Sequence, residues 1–124
     1  MSGVGVNALV PLAHVADVPA AIAFYQKLGF SVESQVVPEG EDRPNWVWLR
    51  ADTAQLMLAR ATAPVVAGEQ AVLFYTYCHD IRAAHDAFAA EGLTPGPIAH
   101  PFYNPGGEFR LEDPDGYVVY VAQI

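Results

Sequence analysis

Few side chains in this sequence are equipped for metal or covalent chemistry, and those that are stand apart from one another. Histidine titrates near neutrality and is a common metal ligand, so His14, His79, His85 and His100 are the first to place. His79 and His85 are six apart on an expected helix and point to different sides. His100 borders a proline-rich stretch. His14 falls in phase with Val10 and Leu12 on one face of an expected strand. No carboxylate–histidine cluster has metal-ligand spacing. His14 with Tyr75 or Tyr77 could transfer a proton, but no nucleophile, base and orienting group fall together.

Aromatic side chains at strand spacing are the stronger signal. Strand alternation puts Tyr75 and Tyr77 on one face with Leu73, Met57 with Gln55 and Ala59, and Tyr120 with Val118 and Ala122. Trp46 and Trp48 share a face of their own strand. Phe102 and Tyr103 lie in a loop that could cover the mouth of a cleft. The residues in opposite phase, Leu56, Leu58, Val72, Phe74, Val119 and Val121, are all apolar and suit packing against helices. An aromatic wall with a few polar tips suits a flat organic ligand. A cation would gain further from the ring faces. Arg50 and Arg110 are expected to be solvated or paired with nearby acids such as Asp52 and Glu112.

The elements that must position these residues repeat. A shift of 63 residues carries Asp17 onto Asp80, Gly29 onto Gly92 and Asp52 onto Asp115. Each half begins with a strand, at 8–15 and 71–77. Asp17 and Asp80 are N-cap residues, Pro19 fits a first helical turn, and Gly29 and Gly92 end the helices. Strands are expected at 30–37, 46–50 and 55–60 in the first half, and at 94–99, 108–112 and 117–122 in the second. Asp113-Pro114-Asp115-Gly116 is a turn. The expected organisation is one domain over 1–124, with module one at 7–61, a linker at 62–69 and module two at 70–124.

The 124 residues carry a net charge of −8, from 6 basic and 14 acidic residues. Nucleic acid needs a basic face, so it is excluded as a partner. An anionic membrane surface is disfavoured for the same reason, and a cationic ligand is attracted. Only 16% of residues are charged, below the roughly 25% of ordinary soluble domains. That points to apolar surface hidden in a homodimer or a deep cleft. Cys78 is the single cysteine, which fits a reducing compartment. With no signal-like or membrane-spanning run, the protein is read as cytoplasmic.

The run from Val10 to Val18, with Ala23-Phe24-Tyr25 and Leu28-Gly29-Phe30, resembles the opening of the glyoxalase/bleomycin-resistance family of the vicinal-oxygen-chelate superfamily. The run from Gly107 to Gly116 resembles its closing hairpin. The resemblance implies an α+β fold of two tandem βαβββ modules, each a mixed sheet curling around a concave cleft. Many members dimerise, some by exchanging modules. Metal-using members place four His, Glu or Gln ligands on the first and last strands of the modules. The matching positions here are Val10 and Leu73, seven before Asp17 and Asp80, and Met57 and Tyr120, five beyond Asp52 and Asp115. None supplies the imidazole or carboxylate that a divalent metal needs, so no metal and no cofactor are expected. The resemblance then implies a small-molecule binding protein, one that sequesters a cationic aromatic antibiotic. Its ligand would meet His14, Trp46, Trp48, Met57, Tyr75, Tyr77, Phe102, Tyr103 and Tyr120. The alternatives are a lyase, isomerase or dioxygenase of the same superfamily, or a module acting only through its dimer surface.

Zinc, nickel or manganese at roughly tenfold excess should leave the melting temperature unchanged in a thermal scan, and so should EDTA. A stabilisation that saturates at one metal per chain would reveal a site these positions do not provide.

Overall fold

The structure is a computed structural model, and it describes residues 4–124. The elements follow in the order β1 (Leu12–Val15), α1 (Val18–Lys27), β2 (Ser31–Val36), β3 (Trp46–Ala51) and β4 (Ala54–Arg60). After a 3-10 turn at Ala67–Glu69 come β5 (Phe74–Cys78), α2 (Ile81–Ala90), β6 (Glu108–Glu112) and β7 (Val118–Gln123). Both helices start as their caps dictate. Asp17 accepts from the Ala20 amide at 3.1 Å and Asp80 from the Ala83 amide at 3.0 Å. Both end before a glycine in the left-handed region, Gly29 (φ 105°) and Gly92 (φ 88°), where a Cβ would be strained.

Two mixed sheets result. The first has strand order β1-β4-β3-β2, with β1 parallel to β4. The second has order β5-β7-β6, with β5 parallel to β7. Three strand expectations need correction. Strand β1 begins at Leu12 rather than residue 8. Pro11 has no N–H for the ladder and only its carbonyl is used, by the Met57 amide at 2.8 Å. Strand β5 begins at Phe74 rather than 71, because β7 begins at Val118 and its register with β5 starts at Phe74↔Val119. Val72 therefore stays out of the core, 61% exposed. The segment 94–99 runs beside β6 without becoming a strand. Gly96 and Ala99 donate to Arg110 and Glu108 at 2.9 and 2.8 Å, but Pro95 and Pro97 have no N–H to make the ladder continuous. His79 precedes the N-cap of α2, so it is not on that helix with His85.

Alternation in the sheets sends Val47, Leu49, Leu56 and Leu58 of the first, and Phe109, Leu111, Val119 and Val121 of the second, into one buried cluster. Helix α1 contributes Ile22, Phe24 and Tyr25 to it. A buried polar junction ties the halves together. The Tyr25 hydroxyl donates to Asp113 Oδ2 at 2.8 Å, and Asp113 Oδ1 accepts from the Asp115 and Tyr117 amides, each at 2.9 Å. The Ala16 amide donates to Asp115 Oδ1 and the Tyr117 hydroxyl to the His14 carbonyl, each at 2.8 Å. Burial pushes both the Asp113 carboxyl and the Tyr25 phenol up from their ordinary ranges, and the carboxylate's charge adds to the rise at Tyr25.

Tyr25→Phe should lower the stability to urea by about 1–3 kcal/mol, since it strips a buried carboxylate oxygen of its donor. Asp113→Ala should cost more, because three donors lose their acceptor. With its folded value raised, Asp113 contributes stability that is present in full below the ordinary carboxylate range and is lost as pH rises through the raised value. The Tyr25 hydrogen bond works against that rise by favouring the charged carboxylate, so the Tyr25→Phe loss should be larger at neutral pH than in acid.

Candidate functional site: two open sheet faces

Each sheet turns one face into the shared core and leaves the other open. On the first sheet the open face carries Leu12 and His14 from β1, Gln55, Met57 and Ala59 from β4, and Trp46, Trp48 and Arg50 from β3. The register sets Met57 between Leu12 and Trp48, and Ala59 between His14 and Trp46. The two indoles meet edge to face at 6.5 Å, and Trp48 Nε1 donates to Gln55 Oε1 at 2.9 Å. Arg50 lies 3.6 Å from Glu33, its partner in place of the expected Asp52. The face ends at β2, an edge strand that is exposed throughout.

The open face of the second sheet is a tyrosine cluster. Tyr75 and Tyr120 are register partners and stack at 4.8 Å with 8° between their planes. Tyr77 lies 6.4 Å beyond Tyr75 on the same strand. Tyr103 reaches in from the loop between α2 and β6 and donates its hydroxyl to Glu108 Oε2 at 3.1 Å. That bond, with the Tyr75 hydroxyl beside it, pushes the Tyr103 phenol up to about 12. The loop is pinned by His100 Nδ1 on the Pro105 carbonyl at 2.9 Å and by the Gly107 amide on the Asn104 carbonyl at 3.0 Å. Tyr75, Tyr77, Tyr103, Asn104 and Glu108 line a cavity of about 420 Å³. Phe102 stands against Tyr103 at 5.5 Å and is 96% exposed.

The structure thus brings Tyr75, Tyr77, Tyr103 and Tyr120 together, and separately Trp46, Trp48 and Met57. Among the described residues no aromatic contact joins the two groups. His14 keeps the phase expected of it but lines a different cavity, with Thr62, Gln70 and Tyr117. Within one chain it is not brought to Tyr75 or Tyr77. Arg110 pairs with Glu112 at 3.3 Å, as expected. Glu108 was not anticipated. Alternation about Phe109 and Leu111 could have found it, since Glu108 and Arg110 must share the face of their register partners Ala122 and Tyr120.

A divalent metal does not fit these faces. Val10 and Leu73 have no donor atom, and Tyr120 is committed to its stack on Tyr75. Among the described residues no three His, Cys, Asp or Glu side chains converge. No described helix is long and apolar enough to cross a membrane.

Two mixed sheets, each with a helix on its core side, define an α+β protein of the vicinal-oxygen-chelate type. The family model described as Glyoxalase/Bleomycin resistance protein/Dioxygenase superfamily matches residues 8–121, and the chain belongs to that superfamily. None of the curated proteins matches. Among solved structures, the chain is similar to a bleomycin-binding protein complexed with bleomycin, at 16% identity, covering 96% of this chain and 99% of that one, with a TM-score of 0.77. It is similar to the bleomycin-binding protein of Streptomyces verticillus complexed with copper(II)-bleomycin, at 21% identity, 98% and 99% coverage and a TM-score of 0.72. It is also similar to an antibiotic binding protein from Streptomyces sp. CB03234, at 20% identity, 98% coverage of each chain and a TM-score of 0.73. At these identities the likeness is one of fold.

Proposed function

We propose that the protein binds a flat, cationic aromatic antibiotic without turnover or metal, and that it does so as a homodimer. The observation that carries the reading is the open tyrosine face, where Tyr75 and Tyr77 are 43% and 63% exposed although they are large and partly apolar. Rings so placed stack on a flat ligand and attract a cation, and the chain's negative charge adds to that attraction. The bleomycin-binding and antibiotic-binding proteins of the same fold support the ligand class.

The homodimer follows from what one chain leaves uncovered. Leu12, Val32 and Val36 on the first sheet and Leu73, just before the second, are 39% to 50% exposed. Large apolar side chains left in water beside the two aromatic faces are the kind of surface a second copy would cover. In a two-fold dimer the indole face of one copy meets the tyrosine face of the other, closing two equal clefts. Each cleft then has Trp46, Trp48 and Met57 on one wall and Tyr75, Tyr77 and Tyr120 on the other. Phe102 and Tyr103 stand at its mouth.

Light scattering behind a sizing column should give twice the chain mass, and titration with metal-free bleomycin should quench the tryptophan emission with one ligand per cleft. Trp48→Ala should weaken that binding by roughly 10-fold or more, about 1.4 kcal/mol or above. A monomer whose fluorescence ignores bleomycin and other cationic aromatic antibiotics would overturn the reading.

A further inference from the structure

We propose that Glu108 is the anchor for a protonated amine, amidinium or guanidinium group on the ligand of the tyrosine face. The inference rests on the reading that this face binds a small molecule, and it names the chemical group the face recognises.

Glu108 lies on β6 opposite Ala122, whose small side chain leaves room on the open face. Although it sits on that face, it is only 5% exposed. Its Oε2 accepts one hydrogen bond, from Tyr103 at 3.1 Å. Its Oε1 is buried and has no partner among the described residues. A carboxylate can accept about four hydrogen bonds, and buried charges are ordinarily paired. Among the described residues no ion pair reaches Glu108, and Arg110, two residues on, is engaged with Glu112.

The surroundings suit an external donor. The cavity that Glu108 lines is walled by Tyr75, Tyr77 and Tyr103, whose ring faces favour a cation. Tyr103 covers the carboxylate but is itself 62% exposed, so displacing it costs little packing. A planar group with two N–H donors then reaches both oxygens in a fork, the strongest pairing open to a carboxylate. A neutral aromatic of the same shape gains the stacking and loses the charge-assisted bonds. Selection at this point is for charge and donor geometry, whereas the rest of the face selects for flatness.

The test uses the full chain and two probes of one shape, 9-aminoacridine, a cation at neutral pH, and acridine, its uncharged counterpart, titrated by calorimetry. The wild type should prefer the cation by about tenfold or more, and Glu108→Gln should bring the ratio close to one. Tyr103→Phe removes the internal donor that competes for Oε2, so the preference should persist or grow, a readout that stands even where Glu108→Gln fails to fold. A wild type that binds both probes equally, a preference that survives Glu108→Gln, or one lost in Tyr103→Phe would each overturn the anchor alone. A wild type that binds neither probe would overturn the small-molecule reading and the anchor with it.

Discussion

The two halves of the molecule are held by one buried carboxylate. Asp113 takes a hydroxyl from α1 of the first half and two amides of its own turn, and the flanking Asp115 and Tyr117 reach back to the backbone at Ala16 and His14. A buried carboxylate is costly unless its lone pairs are matched, and the Tyr25 hydroxyl matches one of those of Asp113. The Asp-Pro-Asp-Gly turn is therefore more than a reversal of the chain. It is the point at which the second sheet is docked against the first module's helix, and the hydrophobic cluster closes around it.

That docking decides where the faces point. Because both sheets give their apolar sides to the same core, their aromatic sides are left outside, on separate surfaces of one chain. In the proposed homodimer each aromatic face would be one wall of a cleft. The proposed ligand and the proposed homodimer are linked through this geometry, since a second copy that covered exposed Leu12 and Leu73 would also supply a facing wall.

The internal repeat is not perfect, and the departure falls beside the tyrosine face. The first half completes a four-stranded sheet, whereas prolines at 95 and 97 reduce the corresponding strand of the second half to a few bonds beside β6. The chain released there forms the loop that carries Phe102 and Tyr103. Tyr103 in turn donates to Glu108, a carboxylate buried on the tyrosine face. The asymmetry between the halves produces a charged recess on one sheet that the other sheet lacks.

Much of the fold was legible in the residues themselves, because it rests on local rules. Caps at Asp17 and Asp80, glycines at 29 and 92, and alternation in β3, β4 and β7 depend on neighbours within a few positions. The same locality put Tyr75 and Tyr77 on one face, and the family resemblance set Tyr120 beside them. The junction and the recess were not legible. Tyr25 and Asp113 are 88 residues apart and Tyr117 and His14 are 103 apart, and no periodicity relates them. Nor could spacing say that Glu108 would be buried, since a glutamate two residues before an arginine on a strand reads as a solvated pair until the loop carrying Tyr103 is seen to fold over it. Short-range stereochemistry determined which residues share a face. Only the packing of distant segments around one carboxylate decided where each face points and which charge is shut away from water.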